Sequence, residues 1–264
     1  MLKKTLFTAL VLAGRRESAG EPPLAAGATH RALLDVRGVP MLVRVLRALR
    51  GSPSVGQIAV SIDDASTLLG VPEATGISLH LSLASPSLSV LDFLAQQPLD
   101  EPVLVVTADH ALLTPEMVEH FSALSLAADC DAVVGLVEEE RLREAWPETT
   151  RTYLRFREGG YSGANLFALR GEGARRAAAF WVRAEQFRKS PWRLVSSFGP
   201  VSLALFLLRR LTLEAALERA SHAMGARVSA VRMPFAEAAI DVDRQSDLVL
   251  VSRILAGREA AEQA

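Results

Sequence analysis

Leu6-Phe-Thr-Ala-Leu-Val-Leu-Ala-Gly14 decides the fold. The run from Leu6 to Leu12 is almost wholly apolar and ends at Ala13-Gly14. It gives way to a Gly-, Pro- and Ala-rich charged stretch that includes Glu21-Pro22-Pro23 and Gly27. A short apolar run closed by a turn signal reads as a strand buried on both faces, the kind found in parallel sheets covered by helices. Lys3-Lys4 before it raises a second reading, a secretory signal. The run is short for that purpose, Gly14-Arg15-Arg16 offers no cleavage site, and the downstream pattern uses the run as its first strand. The strand reading is therefore preferred.

Working outward, Ala32-Leu-Leu-Asp-Val36 reads as a short strand and Arg37-Gly-Val-Pro40 as a turn. Residues 41–50 read as an amphipathic helix, with Met41, Leu42, Val45, Leu46 and Leu49 at helical spacing. The alternation continues, with strands expected at 57–62, 78–83, 103–107 and 132–137 and helices at 90–97 and 115–126. Such alternation means βαβ units, which close only as a parallel or mixed sheet covered by helices. Ligands of open α/β sheets bind at the carboxyl ends of the strands, so Gly14 and Thr107-Ala-Asp109 are expected on one rim. Gly159-Gly-Tyr-Ser-Gly163 reads as a turn before Ala164-Asn-Leu-Phe-Ala168. Residues 175–193 read as one helix with Phe180, Trp181 and Phe187 among arginines. Residues 201–210 read as a buried helix, about half the roughly twenty residues a membrane span needs. A last strand is expected at 228–233 and a closing helix at 247–255.

The chain has 264 residues, half of them hydrophobic, enough for a self-supporting core in a single domain. Its 29 basic and 30 acidic residues leave a net charge of −1, so no overall electrostatic footprint argues for nucleic acid as partner. One cysteine, Cys130, rules out an intrachain disulfide framework and a multi-cysteine zinc site, and fits a reducing, cytoplasmic setting.

Asp109 carries the most weight. A carboxylate directly after a hydrophobic strand is presented at the ligand rim by a rigid element, a position suited to a hard cation such as magnesium. The plain alternative is a turn or cap before the helix at 115. Thr114-Pro-Glu116 itself reads as a cap, with Pro at the first helical position, and Thr114 is given no chemistry. In Ile240-Asp-Val-Asp243, period two sends Asp241 and Asp243 to one face, where they can join Asp109 at a metal or cap the following helix. His30, Arg31, Arg15 and Arg16 are either solvated loop charges or phosphate contacts. Neither a Walker pattern nor Gly-x-Gly-x-x-Gly accompanies the first strand, which weakens kinase and dinucleotide readings. The aromatic and basic residues from Phe180 to Trp192 read either as a substrate-binding or interfacial helix or as core plus solvated face, and Trp181, Trp192 and the apolar segment 201–208 allow a weak contact with a membrane surface.

Four blocks, Leu10-Val-Leu-Ala-Gly14, His30 to Leu42, Thr107 to Pro115 and Ile240 to Leu248, stand in the order seen in nucleotidyltransferases similar to molybdenum cofactor guanylyltransferase and the sugar-phosphate nucleotidylyltransferases. The resemblance implies a three-layer α/β/α, Rossmann-like nucleotide-diphospho-sugar transferase fold. It would have a mostly parallel mixed sheet in one domain over 1–264, with a helical insertion at about 172–225. It puts Leu12, Ala13, Gly14 and Arg16 at the nucleotide phosphates, Ser85 and Ser89 at the base or ribose, and Gly163 and Asn165 at the acceptor. It gives catalytic roles to Asp109, Arg15 and Arg31, and magnesium to Asp109 with Asp241 or Asp243. Where the family runs Gly-Gly-x-Gly-x-Arg this chain has Gly14-Arg-Arg-Glu17, and Arg31 stands where Lys is usual.

The implied activity is magnesium-dependent transfer of a nucleoside monophosphate from a nucleoside triphosphate to a phosphorylated acceptor, with release of pyrophosphate. The acceptor would be a sugar, alditol or cofactor phosphate. Two alternatives stand beside it. One is a nucleotide-binding regulator of the same fold without turnover. The other is a nucleotide-sugar-dependent glycosyltransferase, for which Asp-x-Asp is expected after the central strand; here that position reads Asp109-His110-Ala111, and the Asp-x-Asp stretches are Asp129-Cys-Asp131, at a helix-to-strand connection, and Asp241-Val-Asp243, late in the chain.

Overall fold

The computed structural model describes residues 5–14, 30–184, 191–196 and 199–262. In chain order, β1 (Phe7–Leu12) is followed by the short pair β2 (Asp35–Val36) and β3 (Val39–Pro40), then α1 (Met41–Arg50), β4 (Val55–Ile62) and β5 (Ser78–Leu81). Next come α2 (Pro86–Gln96), β6 (Val103–Thr107), α3 (Pro115–Ala127), β7 (Ala132–Glu138), α4 (Glu139–Ala145), β8 (Leu154–Phe156) and β9 (Gly159–Leu169). Four helices, α5 (Gly171–Ala184), α6 (Pro191–Ser196), α7 (Pro200–Leu207) and α8 (Leu213–Met224), lead to β10 (Val228–Arg232) and α9 (Gln245–Glu262).

The main sheet has eight strands in the order β10-β7-β9-β6-β1-β4-β5, with β8 hydrogen-bonded to β9. β1 lies near its middle, parallel to both β4 and β6. Its side chains alternate between two cores. Phe7, Ala9 and Val11 pack with residues of α1, α3 and α9, while Leu10 packs with Phe93 and Leu94 of α2 and Ala177 and Ala178 of α5. The layering is therefore α/β/α, and burial on both faces is why this run carries no polar alternation. β9 is the antiparallel member, paired with both β6 and β7. A third cluster joins Leu136, Phe156, Tyr161 and Val195 to the α7–α8 region.

Local chemistry sets several boundaries. Ser85 and Thr114 accept hydrogen bonds from the backbone N–H groups of Leu88 and Met117, with Pro86 and Pro115 at the first helical position. α2 consequently begins at Pro86, four residues before the onset its apolar spacing predicts. Arg37 and Gly38, both at positive φ, close the β2–β3 hairpin.

Three expectations need correction. The glycines at 159–163 open a strand, not a turn. Gly160 lies so close to Glu139 that a Cβ there would sit 3.0 Å from the Glu139 Cβ. Residues 31–33 form a 3-10 turn, leaving only Asp35–Val36 as strand. Of the helix expected over 175–193, residues 175–184 belong to α5 and 191–193 to α6, while 185–190, with Phe187, lie outside the described residues. The segment at 201–210 is a surface helix, with Val201, Leu207 and Leu208 largely exposed.

Candidate active site

The carboxyl ends of β1 and β6 are stitched together, with Leu12 opposite Thr107 in register and the Ala108 N–H donating to the Leu12 carbonyl at 3.0 Å. Gly14 and Asp109 consequently share one rim, as the strand pattern predicts. Leu12 is partly buried, Ala13 is buried and Gly14 is exposed beside Ser82, whose Oγ would lie 2.9 Å from any Cβ at position 14. The Ser82–Ser85 loop thus flanks Gly14 on the β4–β5 side. From the first turn of α2 the Ser89 hydroxyl, 2 % exposed, accepts from the Leu83 N–H at 2.8 Å and donates to the Ser85 carbonyl. Ser89 therefore braces the loop, and the Ser85 side chain caps α2. Arg15 and Arg16 lie outside the described residues.

On the other side of the rim three carboxylates converge. Asp109, Asp241 and Asp243 each present an oxygen within 4.8 Å of the others. The C-terminal segment is tied to the end of β6 by the Val242 N–H, which donates to the Asp109 carbonyl at 3.1 Å. At the entry to α9 the Asp247 Oδ2 accepts from the backbone N–H groups of Asp243 and Arg244.

Arg151, which no sequence motif singles out, organises this corner. It is 10 % exposed, bonds the Asp241 carboxylate through Nη1 and donates to the Asp241 carbonyl at 2.7 Å through Nη2. The same Nη2 lies 3.6 Å from Asp247. It sits in a polar, poorly periodic loop, where no local pattern announces a contact ninety residues away. Asn165 donates through Nδ2 to the other Asp241 oxygen at 2.7 Å. Its backbone is left-handed, at φ 51°, and lies where the β7–β9 register shifts between Val134 and Leu136. Such a bulge re-aims a side chain, and here it turns Asn165 toward the carboxylates. Gly163, two residues earlier, is exposed with open space on its Cβ side.

Arg31 also turns toward this corner. Its Nη2 donates to the carbonyls of Val242 and Asp243 at 2.7 and 3.1 Å, and it lies 3.9 Å from the Asp243 carboxylate. His30 is no solvated loop charge. It is 1 % exposed, its Nδ1 accepts from the Ala32 N–H and its Nε2 lies 2.8 Å from Asp63.

The electrostatics follow from burial. Asp109 Oδ1 is inaccessible to solvent and has no hydrogen-bond partner among the described residues. Burial, reinforced by the charge of Asp241, pushes the Asp109 carboxyl up to about 7. Asp243 is raised in the same sense by partial burial and by Asp241. Burial of the neighbouring His110 pushes its imidazole down to about 4, so it stays neutral at pH 7 and adds no counter-charge. Three clustered carboxylates, one with a buried oxygen left unsatisfied, fit a hard divalent cation. Magnesium takes one or two carboxylates and completes its octahedron with phosphate oxygens and water.

Residues 9–228 match the family model described as the MobA-like NTP transferase domain. The chain belongs to that family. The match includes Asp109 and Asn165 and stops short of Asp241 and Asp243. A hypothetical transferase from Thermus thermophilus is 31 % identical over 92 % of this chain and 100 % of its own, with a TM-score of 0.76. CMP:2-keto-3-deoxy-manno-octonic acid synthetase complexed with CTP shares the fold at 15 % identity, covering 96 % of this chain and 100 % of its own, with a TM-score of 0.58. A 2-C-methyl-D-erythritol 4-phosphate cytidylyltransferase, also from Thermus thermophilus, does so at 16 % identity, covering 95 % and 99 %, with a TM-score of 0.54. No curated protein matches significantly in sequence. As a member of the NTP transferase family, the chain is a nucleotidyltransferase.

Of the two Asp-x-Asp stretches, only Asp241-Val-Asp243 reaches this rim. Asp129 and Asp131 precede β7 and so lie at its amino end, away from the ligand rim. Asp129 pairs there with Arg170 and Arg227, and Asp131 accepts from the Arg227 N–H. Those carboxylates hold chain crossings together.

Proposed function

We propose that the chain transfers a nucleoside monophosphate from a nucleoside triphosphate to a phosphorylated small-molecule acceptor, releasing pyrophosphate, with magnesium held by Asp109, Asp241 and Asp243. The observation that carries this reading is the three-carboxylate cluster on the rim shared with Gly14.

An acceptor phosphate oxygen attacks the α-phosphorus. The new P–O bond to the acceptor forms as the α–β bridging P–O bond breaks, and pyrophosphate leaves with the electron pair. Bound magnesium supplies neutralisation of the phosphate charge. The chain itself contributes position and fixed electrostatics. Gly14 lets the backbone approach the phosphates, with Leu12 and Ala13 holding the strand end behind it. Arg15, Arg16 and Arg31 offset the charge of the departing pyrophosphate. Ser85, in the loop braced by Ser89, faces the nucleoside side, and Gly163 and Asn165 face the acceptor. No covalent protein nucleophile takes part.

The test is pyrophosphate release from the four common nucleoside triphosphates, CTP included, paired with sugar, alditol and cofactor phosphates, with Asp109→Ala as control. Release that depends on one pair and on Asp109 supports the reading. Magnesium-dependent nucleotide binding without release from any pair replaces it with the regulator of the same fold.

A further inference from the structure

α7 has the sequence Pro-Val-Ser-Leu-Ala-Leu-Phe-Leu, without a single charge. Its inner side is accounted for: Ser202 is 1 % exposed, and Leu205 and Phe206 pack against the cluster of Phe156, Tyr161 and Val195. Its other side is not covered, because Val201, Leu207 and Leu208 are 57, 65 and 66 % exposed. A helix apolar on every side is ordinarily enclosed, and a large exposed apolar patch marks a contact surface. Trp192 of the adjoining α6 is 50 % exposed, and the Arg193 guanidinium lies 5.0 Å from its ring centroid.

The charge along this stretch of sequence is one-sided. From Gln186 to Leu213 the sequence contains Arg188, Lys189, Arg193, Arg209 and Arg210 and no acidic residue, in a chain whose net charge is −1. Arg193, Arg209 and Arg210 are all exposed. A two-fold contact between copies sets the same patch against itself, and here that would bring the arginines of one copy against those of the other. An anionic surface complements the charge. An indole, exposed aliphatic side chains and flanking arginines together suit the boundary between headgroups and acyl chains, where long basic side chains reach the headgroups while the apolar groups sink. No helix among the described residues is long and apolar enough to cross a membrane.

We propose that the α6–α7 face seats this chain on the surface of an anionic lipid bilayer. Trp192, Val201, Leu207 and Leu208 enter the headgroup boundary, and Arg193, Arg209 and Arg210 engage the anionic headgroups.

The experiment is co-sedimentation of the full chain with vesicles of phosphatidylcholine alone and with about 30 % phosphatidylglycerol added, since juxtamembrane basic residues respond to anionic lipid. Binding is expected only with the anionic vesicles and is expected to fall in about 0.5 M salt, where the Debye length shrinks to a few ångströms. Arg209→Glu/Arg210→Glu should weaken partition at least about 25-fold, at about fivefold for each lost charge. Leu207→Glu/Leu208→Glu should abolish it. Both pairs alter exposed side chains, and an unchanged melting temperature verifies their folding. Equal sedimentation with neutral and anionic vesicles, or variants that bind like the parent chain, overturns the proposal. So does a dimer in solution that Leu207→Glu/Leu208→Glu dissociates, because it assigns the face to a second copy.

Discussion

Replacing Asp109 by Asn should cost activity and add stability. In the folded chain the Asp109 carboxyl is raised from 3.8 to about 7, by burial first and by the charge of Asp241 second. A group whose folded pKa is raised carries no penalty below its unfolded pKa, and the penalty is complete above the folded value. Each tenfold step in proton affinity is worth about 1.4 kcal/mol, so ionised Asp109 destabilises the metal-free fold by about 4 kcal/mol at pH 8. The amide of Asn must still be buried, which takes back about half of that. A net gain of about 2 kcal/mol remains, roughly 4–8 °C in melting temperature for a chain of this size. In chelator the difference between variant and parent should open between about pH 4 and 7 and stay level above. Saturating magnesium should then stabilise the parent and not the variant, since only a ligand bound to the folded state shifts the equilibrium. Pyrophosphate release should fall by roughly two orders of magnitude or more. Thermal and urea unfolding at pH 5 and pH 8, with and without magnesium, read all of this. An Asn variant less stable than the parent at pH 8 in chelator would refute the reasoning, because Asp109 would then be a satisfied structural acid.

Arg151→Met leaves Asp241 and Asp247, 16 and 15 % exposed, without their shared counter-charge. A loss of about 3 kcal/mol is expected in urea unfolding, partly restored by magnesium. At Asn165, where φ is 51°, Gly keeps the backbone and removes only the amide, so Asn165→Gly should lower activity with little loss of stability. Asn165→Ala should add about 1 kcal/mol of strain to the same functional defect. Gly173→Ala places a Cβ 2.6 Å from the Asp131 Cβ where α5 starts. The expected cost is about 2 kcal/mol in melting experiments with KM unchanged, because the contact is far from the rim.

The apolar run at 6–12 was decisive because burial on both faces leaves a mark in composition that needs no partner to be recognised. The same holds for α1, whose residues 41–50 coincide with the observed helix, and for Thr114, whose capping chemistry is local. Asp109 was legible as the residue a strand must carry to the rim, and Asp241 with Asp243 as a pair that period two sends to one face. What local sequence could not show was long-range. Arg151 reaches across ninety residues, Asn165 depends on a bulge set by register, and the buried His30 meets Asp63, which follows β4 and is 33 residues away. The glycines at 159–163 misled because Gly160 answers to the nearby Glu139 side chain and not to a turn. α7 misled because apolar composition reports a wish for cover and not whether the fold supplies it. The sequence alone therefore determined the sheet, its rim and the three carboxylates. Tertiary packing decided how those carboxylates are neutralised, oriented and raised in proton affinity, since each of those properties is set by groups brought together only when the chain closes.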